Sequence, residues 1–530
     1  MCVRRTRLIR DQPWHGEGLR RNWGGGPGPF TQVPKCPLSQ RVTPGFRAWR
    51  CGVTTALQLE NVVGGVRTGT LAGEVLPLVD PSTGEEFGTS PVTRWMDVDA
   101  AMHVAAGACE SWASTTPQDR QRALLALAEA MESRAEDLVS AECRVTGKQR
   151  SHVAEVELPL AVDAVRFYAS AARLLEGGAA GEYVAGSTSF ARREPIGVVA
   201  QVTSWTHPLL LAASKIAPAV AAGNTVVIKP AETTPLSTLL LVELAAEHFP
   251  PGVVNVICGD RDSGRAMVAH AVPGMFSITG TVRSGMEVAG AVAADLKRAH
   301  LQLGGKAPAL VFEDADVEAA ADRLCAAAFG NAGQSCTASS RVLVADEVYD
   351  EMVDAVARRA RWMRPGPPED IDAAFGPLNS AGQRDVVESH LDRLPAHARV
   401  VAGGRRLDRP GFFHEATVVA DMEQEDELVQ HEVLGPVMSL QRFSGEQQAL
   451  EWANGVRYGL VASVWTRDHA RAMRLSRQVQ AGTVWINTHD QVVAEMPHSG
   501  FKHSASARDF GRFGLEEYSR VKHVLSHWGE

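Results

Sequence analysis

Between residues 197 and 297 short β-branched runs alternate with longer apolar-periodic segments, and few architectures accommodate that order. GVVAQVTS (197–204), TVVIK (225–229), VVNVI (253–257) and MFSIT (275–279) read as buried strands. HPLLLAASKIAPAVAAG (207–223), STLLLVELAAEHF (237–249), GRAMVAHA (264–271) and the stretch from Ser284 to Lys297 read as helices. Such alternation predicts a parallel, doubly wound sheet that binds ligands at the carboxyl ends of its strands. A second series follows Lys306: PALVF (308–312), a helix near 316–329, RVLVA (341–345) and a helix to about 361. The fold class is therefore α/β, with a boundary near 304–306. Upstream, Thr116-Pro117 supplies a hydroxyl N-cap and a proline at the first helical position, predicting one long amphipathic helix to about Gly147.

Composition sets the class. The 530 residues are 45% hydrophobic and 22% charged, the balance of a globular protein. No apolar run is long enough for a transmembrane helix, so no membrane partner is expected. Cysteines at 2, 36, 51, 109, 143, 258, 325 and 336 form no CxxC, so neither a disulfide framework nor a metal site is expected. A reducing, cytoplasmic compartment follows. Residues 1–51 carry ten Lys/Arg against Asp11 and Glu17, and include GGGPGP (24–29). This tail, 1–55, reads as disordered or as an upstream mis-assigned start, with a transit peptide as an alternative. A nucleic-acid arm is the other alternative, but Trp14, Trp23 and Trp49 are too far apart to form a clear stacking platform, and no nucleic-acid partner is expected.

Three sites carry candidate chemistry, each with a plain alternative. Lys229 ends a strand, and Glu232 beside it would accept from ribose hydroxyls while repelling a 2′-phosphate; the pair also reads as exposed surface charge. Gly280 and Gly285 in ITGTVRSG lie where a strand gives way to a helix, an anion site or a simple turn. Cys336 in GNAGQSCTASSR sits among small residues that leave a thiol accessible, yet a lone cysteine is often a buried small hydrophobe.

Taken together, GNTVVIKPAETTPLS, FPPGVVNVICG, ITGTVRSG, LQLGGKAP, NAGQSC, EVLGPV and YGLVASVWTRD occur in order and spacing that resemble the aldehyde dehydrogenase superfamily, from about residue 56 onwards. GEYVAGSTSFARREPIGVV and INTHDQVVAEMPHSGFKHS most resemble its aminobutyraldehyde and betaine-aldehyde branch. The resemblance implies a Rossmann-like NAD domain (56–175 and 193–304), a catalytic α/β domain (305–514) and a small β oligomerisation element (176–192 and 515–530). A homodimer or homotetramer acting on a small-molecule aldehyde would follow. It also implies that the Cys336 thiol attacks the aldehyde, NAD accepts the hydride, and water hydrolyses the thioester. Lys229, Glu232, Gly264, Gly280, Thr281, Gly285, Glu432, Leu434 and Trp205 fall at cofactor-contacting positions.

The departures lie among the catalytic helpers. Gln302 stands where the family has a glutamate base, and a neutral amide cannot take a proton from water. Thr206 replaces the asparagine whose N–H serves the oxyanion. Leu434 replaces a phenylalanine, Ser335 an acidic residue and Ser214 a tryptophan, while Asp509 keeps an acidic position able to assist proton transfer. The expectation is NAD-dependent aldehyde oxidation with impaired or altered deacylation. Acyl transfer to a thiol or amine, a reductive reaction, and a non-catalytic NAD-binding homologue are the alternatives.

Overall fold

The structure is a computed structural model and describes residues 56–529. The tail expectations for 1–55 lie outside the described residues. Five parallel strands and an antiparallel pair build the first seven-stranded sheet. Its order is Arg298–Gln302, Met275–Thr279, Val198–Val202, Thr225–Lys229, Val254–Val256, Asn61–Val63 and Val66–Thr68. The chain runs from Val198–Val202 outward to Val254–Val256 and then returns to the other side of Val198–Val202. That reversal is a topological switch point, where a crevice opens beyond the strand ends.

The second sheet also has seven strands, in the order Arg399–Ala402, Thr417–Ala420, Val437–Phe443, Arg341–Ala345, Pro308–Val311, Val461–Trp465 and Thr483–Ile486. All but Arg399–Ala402 run parallel, and the central strands are buried throughout, as parallel strands covered on both faces must be. A third, antiparallel sheet joins Gly178–Val184, Ser187–Pro195 and Ser519–His527. Tyr183, Val184, Val521, Leu525 and Trp528 leave apolar surface exposed on these strands and just beyond them.

Two expectations need correction. The single helix to Gly147 is two helices, Pro117–Ser133 and Ala135–Thr146, which break at Arg134. The start is as read, because Thr116 and Asp119 form a capping box. Gly147, at φ 72, ends the second helix in a left-handed conformation. The strand Arg298–Gln302 falls in a stretch where no strand was read. It pairs with Met275–Thr279 and carries Gln302 at its end.

Candidate active site

At the carboxyl ends of the first sheet the chain leaves four of the five parallel strands into a single cavity of about 460 Å³. Thr203–Thr206 follow one strand, Lys229 and Glu232 the next, Gly280 and Thr281 a third, and Leu303–Gly304 the fourth. The opposite wall comes from loops entering the amino ends of the second sheet, with Cys336 before Arg341–Ala345 and Glu432 and Leu434 before Val437–Phe443. The cavity thus brings together Trp205, Thr206, Lys229, Glu232, Gly264, Gly280, Thr281, Cys336, Glu432 and Leu434.

Gly285, Gln302 and Asp509 do not line it. Gly285 packs on Leu303, where a Cβ would collide with the leucine side chain, so this glycine serves helix-to-strand contact. Gln302 is buried, and its Nε2 donates to the His498 carbonyl at 2.9 Å while its Oε1 has no partner. Asp509 lies opposite His498 in a short hairpin, 3.4 Å from His300 Nε2 and 3.8 Å from Lys215 Nζ. Burial pushes the proton affinities of both His300 and Lys215 down.

The cysteine loop is pinned from several sides. Gly333 at φ +69 presses on the Gly435 carbonyl, leaving no room for a Cβ. Asn331 Nδ2 donates to the carbonyls of Thr206 and Gln334, both at 2.9 Å, tying the cysteine loop to the Thr206 segment. After the cysteine, the Thr337 hydroxyl donates to Asp490 at 2.6 Å and the Thr337 carbonyl faces His489 Nε2 at 2.9 Å. The Cys336 thiol is partly buried, and enclosure together with the nearby Glu432 and Asp490 carboxylates pushes it up to about 12. The thiol therefore holds its proton near neutral pH and needs a base to release it.

Across the cavity, the Thr206 hydroxyl makes no hydrogen bond within the described residues, while its N–H donates to Ser204 Oγ at 3.3 Å. Glu432 Oε1 accepts from the Gly305 N–H at 2.9 Å, and burial pushes this carboxyl up to about 7. Gln383 Nε2 donates to the carbonyls of Val433 and Leu434 at 2.8 and 2.9 Å, bracing Leu434 in a left-handed conformation at φ 52. At the far end, Thr281 caps the helix Val282–Ala293 by accepting from Ser284 N–H, and Arg283 beside it has no carboxylate partner among the described residues. Lys229 is buried and its Nζ donates to the carbonyls of Pro230 and Gly259, so burial lowers its proton affinity while Glu232 stays exposed.

A family model described as the aldehyde dehydrogenase family matches residues 69–524. The chain belongs to the aldehyde dehydrogenase family. Among solved structures, a betaine aldehyde dehydrogenase from Staphylococcus aureus in complex with NAD+ is 33% identical, covers 89% of this chain and 95% of its own, and superposes with a TM-score of 0.87. PnpE from Pseudomonas sp. WBC-3 is 35% identical over 89% and 98% of the two chains, with a TM-score of 0.87. An aldehyde dehydrogenase from Burkholderia cenocepacia, described as putative, is 33% identical over 89% and 97%, again at 0.87.

Several residues in or near this aldehyde dehydrogenase site carried no readable sequence signal. Asn331, Gln383 and Asp490 are polar residues in turns or helix starts, and only the fold shows that they brace the two cavity walls and the cysteine loop. Away from the cavity, Asp99, His103 and His270 also converge. There the Val272 N–H donates to His270 Nδ1, which leaves Nε2–H to donate to Asp99, a tautomer with no free nitrogen for a metal. Among the described residues no helix is long and apolar enough to cross a membrane.

Proposed function

We propose that this chain oxidises an aldehyde with NAD through a covalent Cys336 intermediate, and that the acyl group leaves slowly. One observation carries the reading: Cys336, Thr206, Lys229, Glu232, Thr281 and Glu432 line a single cavity. Its atoms suit a dinucleotide. An N-capped helix with the unpaired Arg283 offers anion-binding N–H groups, the exposed Glu232 offers a ribose acceptor, and the bare Gly304 leaves space that a Cβ would fill against Glu432. Lys229, Glu232, Gly264, Gly280 and Thr281 would hold the adenosine and pyrophosphate, and Trp205, Glu432 and Leu434 the nicotinamide half. When bound, NAD supplies the hydride acceptor.

The chain's own residues supply the rest. The Cys336 sulfur adds to the carbonyl carbon, and the Thr206 hydroxyl donates to the oxygen as it becomes anionic. Gln302 is held outside the cavity by the bond its amide donates to the His498 carbonyl, a bond a carboxylate cannot donate, so this amide does not activate water against the thioester. A long-lived acyl-enzyme also suits transfer to a thiol or amine, and the placement of Gln302 favours that second reading. For the substrate, the likeness to a betaine aldehyde dehydrogenase suggests an aldehyde bearing an ammonium group, although neither Ser335 nor Ser214 carries a charge to hold it. The antiparallel three-stranded sheet, with its exposed apolar side chains, is the surface we assign to self-association as a dimer or tetramer.

Rapid mixing of protein, NAD and a panel of ω-amino and simple aldehydes tests the reading. A burst near one equivalent of NADH per site should precede a slow steady phase, and Gln302→Glu should raise the steady rate by roughly tenfold or more. Absence of any burst across the panel, in protein that binds NAD, contradicts it.

A further inference from the structure

We propose that Glu432 is the base that takes the Cys336 proton, a catalytic role additional to any contact with a ribose. The proposal rests on the reading of Cys336 as the nucleophile, and three features of the cavity point to it. First, three glutamates lie on the wall, and two are committed elsewhere. Glu232 is exposed at the far end, and Glu287 is bound by Arg261 at 2.5 Å and Arg265 at 2.7 Å, which holds it down to about 2. Second, Glu432 lies across the same short segment as the nucleophile. Its Oε1 accepts from Gly305 N–H, its Oε2 rests against Gly304, and the Cys336 carbonyl rests against Gly305. Third, Oε2 has no hydrogen-bond partner within the described residues, so one carboxylate oxygen is fixed and the other is free to accept.

The charged and titratable groups facing Glu432 are few. Lys306 is buried with Nζ unpartnered, and burial pushes it down to about 7. Tyr458 and Cys336 complete the set, and both are raised by burial and by the carboxylate. With Glu432 itself raised to about 7, the group is a carboxylate above neutrality and a stronger base than an ordinary glutamate, and addition of sulfur to the carbonyl draws the thiol proton towards it. The step balances: the S–H bond breaks, its proton passes to Glu432 Oε2, the sulfur pair forms the S–C bond, and the carbonyl π pair moves to oxygen beside Thr206. A carboxylate has about four lone-pair sites, enough for the Gly305 N–H, a ribose hydroxyl and the thiol proton.

Alkylation of the cofactor-free full chain by iodoacetamide tests this without any turnover. Peptide mass spectrometry reads Cys336 apart from the other cysteines, from about pH 6 to about pH 9. The wild-type rate should rise through about 7. Glu432→Gln should slow it roughly tenfold to a hundredfold near pH ~8 and remove that inflection, with Glu432→Asp restoring part of both. Glu432→Gln alkylating as fast as the wild type, or faster, overturns the proposal, because the carboxylate is then only a neighbouring charge that keeps the proton on sulfur. That outcome beside an intact NADH burst in the wild type leaves Cys336 as nucleophile, whereas a wild-type chain that gives no burst removes the nucleophile reading itself.

Discussion

Replacing Cys336 by alanine is expected to lower kcat/KM for aldehyde oxidation by roughly 10⁴-fold or more, the scale of losing a covalent nucleophile. The expectation follows from position. Among the described residues the thiol is the one sulfur on the cavity wall, and its loop is held by Gly333, Asn331 and the Thr337 contacts independently of the sulfur atom. Alanine therefore removes the reacting atom while leaving the loop in place. Affinity for NAD, followed by quenching of tryptophan fluorescence, should stay within about threefold of wild type, because the residues proposed to hold the adenosine and pyrophosphate follow other strands. A variant that keeps NADH production within about tenfold would contradict the assignment of Cys336.

The largest stability effect is expected at Lys148, which does not line the cavity. Its Nζ is buried between Glu142 at 3.2 Å and Glu157 at 2.6 Å, and side-chain exposure is 1% for the lysine, 0% for Glu142 and 4% for Glu157. Lys148→Ala would strand two carboxylates in the interior, which costs about 3–5 kcal/mol. Burial drives Glu142 up, whereas Lys148 and His207 outweigh burial and hold Glu157 far below the usual carboxylate range. The cluster also reaches the site. Glu142 Oε2 accepts from Ser237 Oγ at 2.5 Å and from Leu209 N–H at 3.3 Å, fixing the start of the helix Pro208–Ala221 that Thr206 leads into. Urea denaturation compares the variants, with Lys148→Met as the volume-preserving control. A loss below about 1 kcal/mol for Lys148→Ala would show that the carboxylates find other partners.

Where each residue's role depends on local pattern, the sequence was readable. Short apolar strands between helices announce the first sheet, and Thr116-Pro117 marks a helix start because capping is a contact within one turn. The strand Arg298–Gln302 escaped because RAHLQ begins with an exposed arginine at the sheet edge and lacks a continuous β-branched run. The break at Arg134 escaped because no proline or glycine marks it. At the site, motifs located the thiol and most of the residues that line the cavity with it, but direction is a tertiary property. That Gln302 points towards His498 follows from the pairing of its strand beside the 498–509 hairpin. Lys148, Glu142 and Glu157 look like ordinary surface charges in sequence, and only helix packing buries them together.

The central claim is that Cys336 carries the acyl group and that, with Gln302 outside the cavity, the group stays there. Intact-protein mass spectrometry after mixing with NAD and an ω-amino aldehyde measures this directly. The account predicts a mass increase equal to one acyl group, located on Cys336, formed only with NAD and persisting well beyond the NADH burst. Free acid released as fast as NADH, with no adduct at any time, would contradict it.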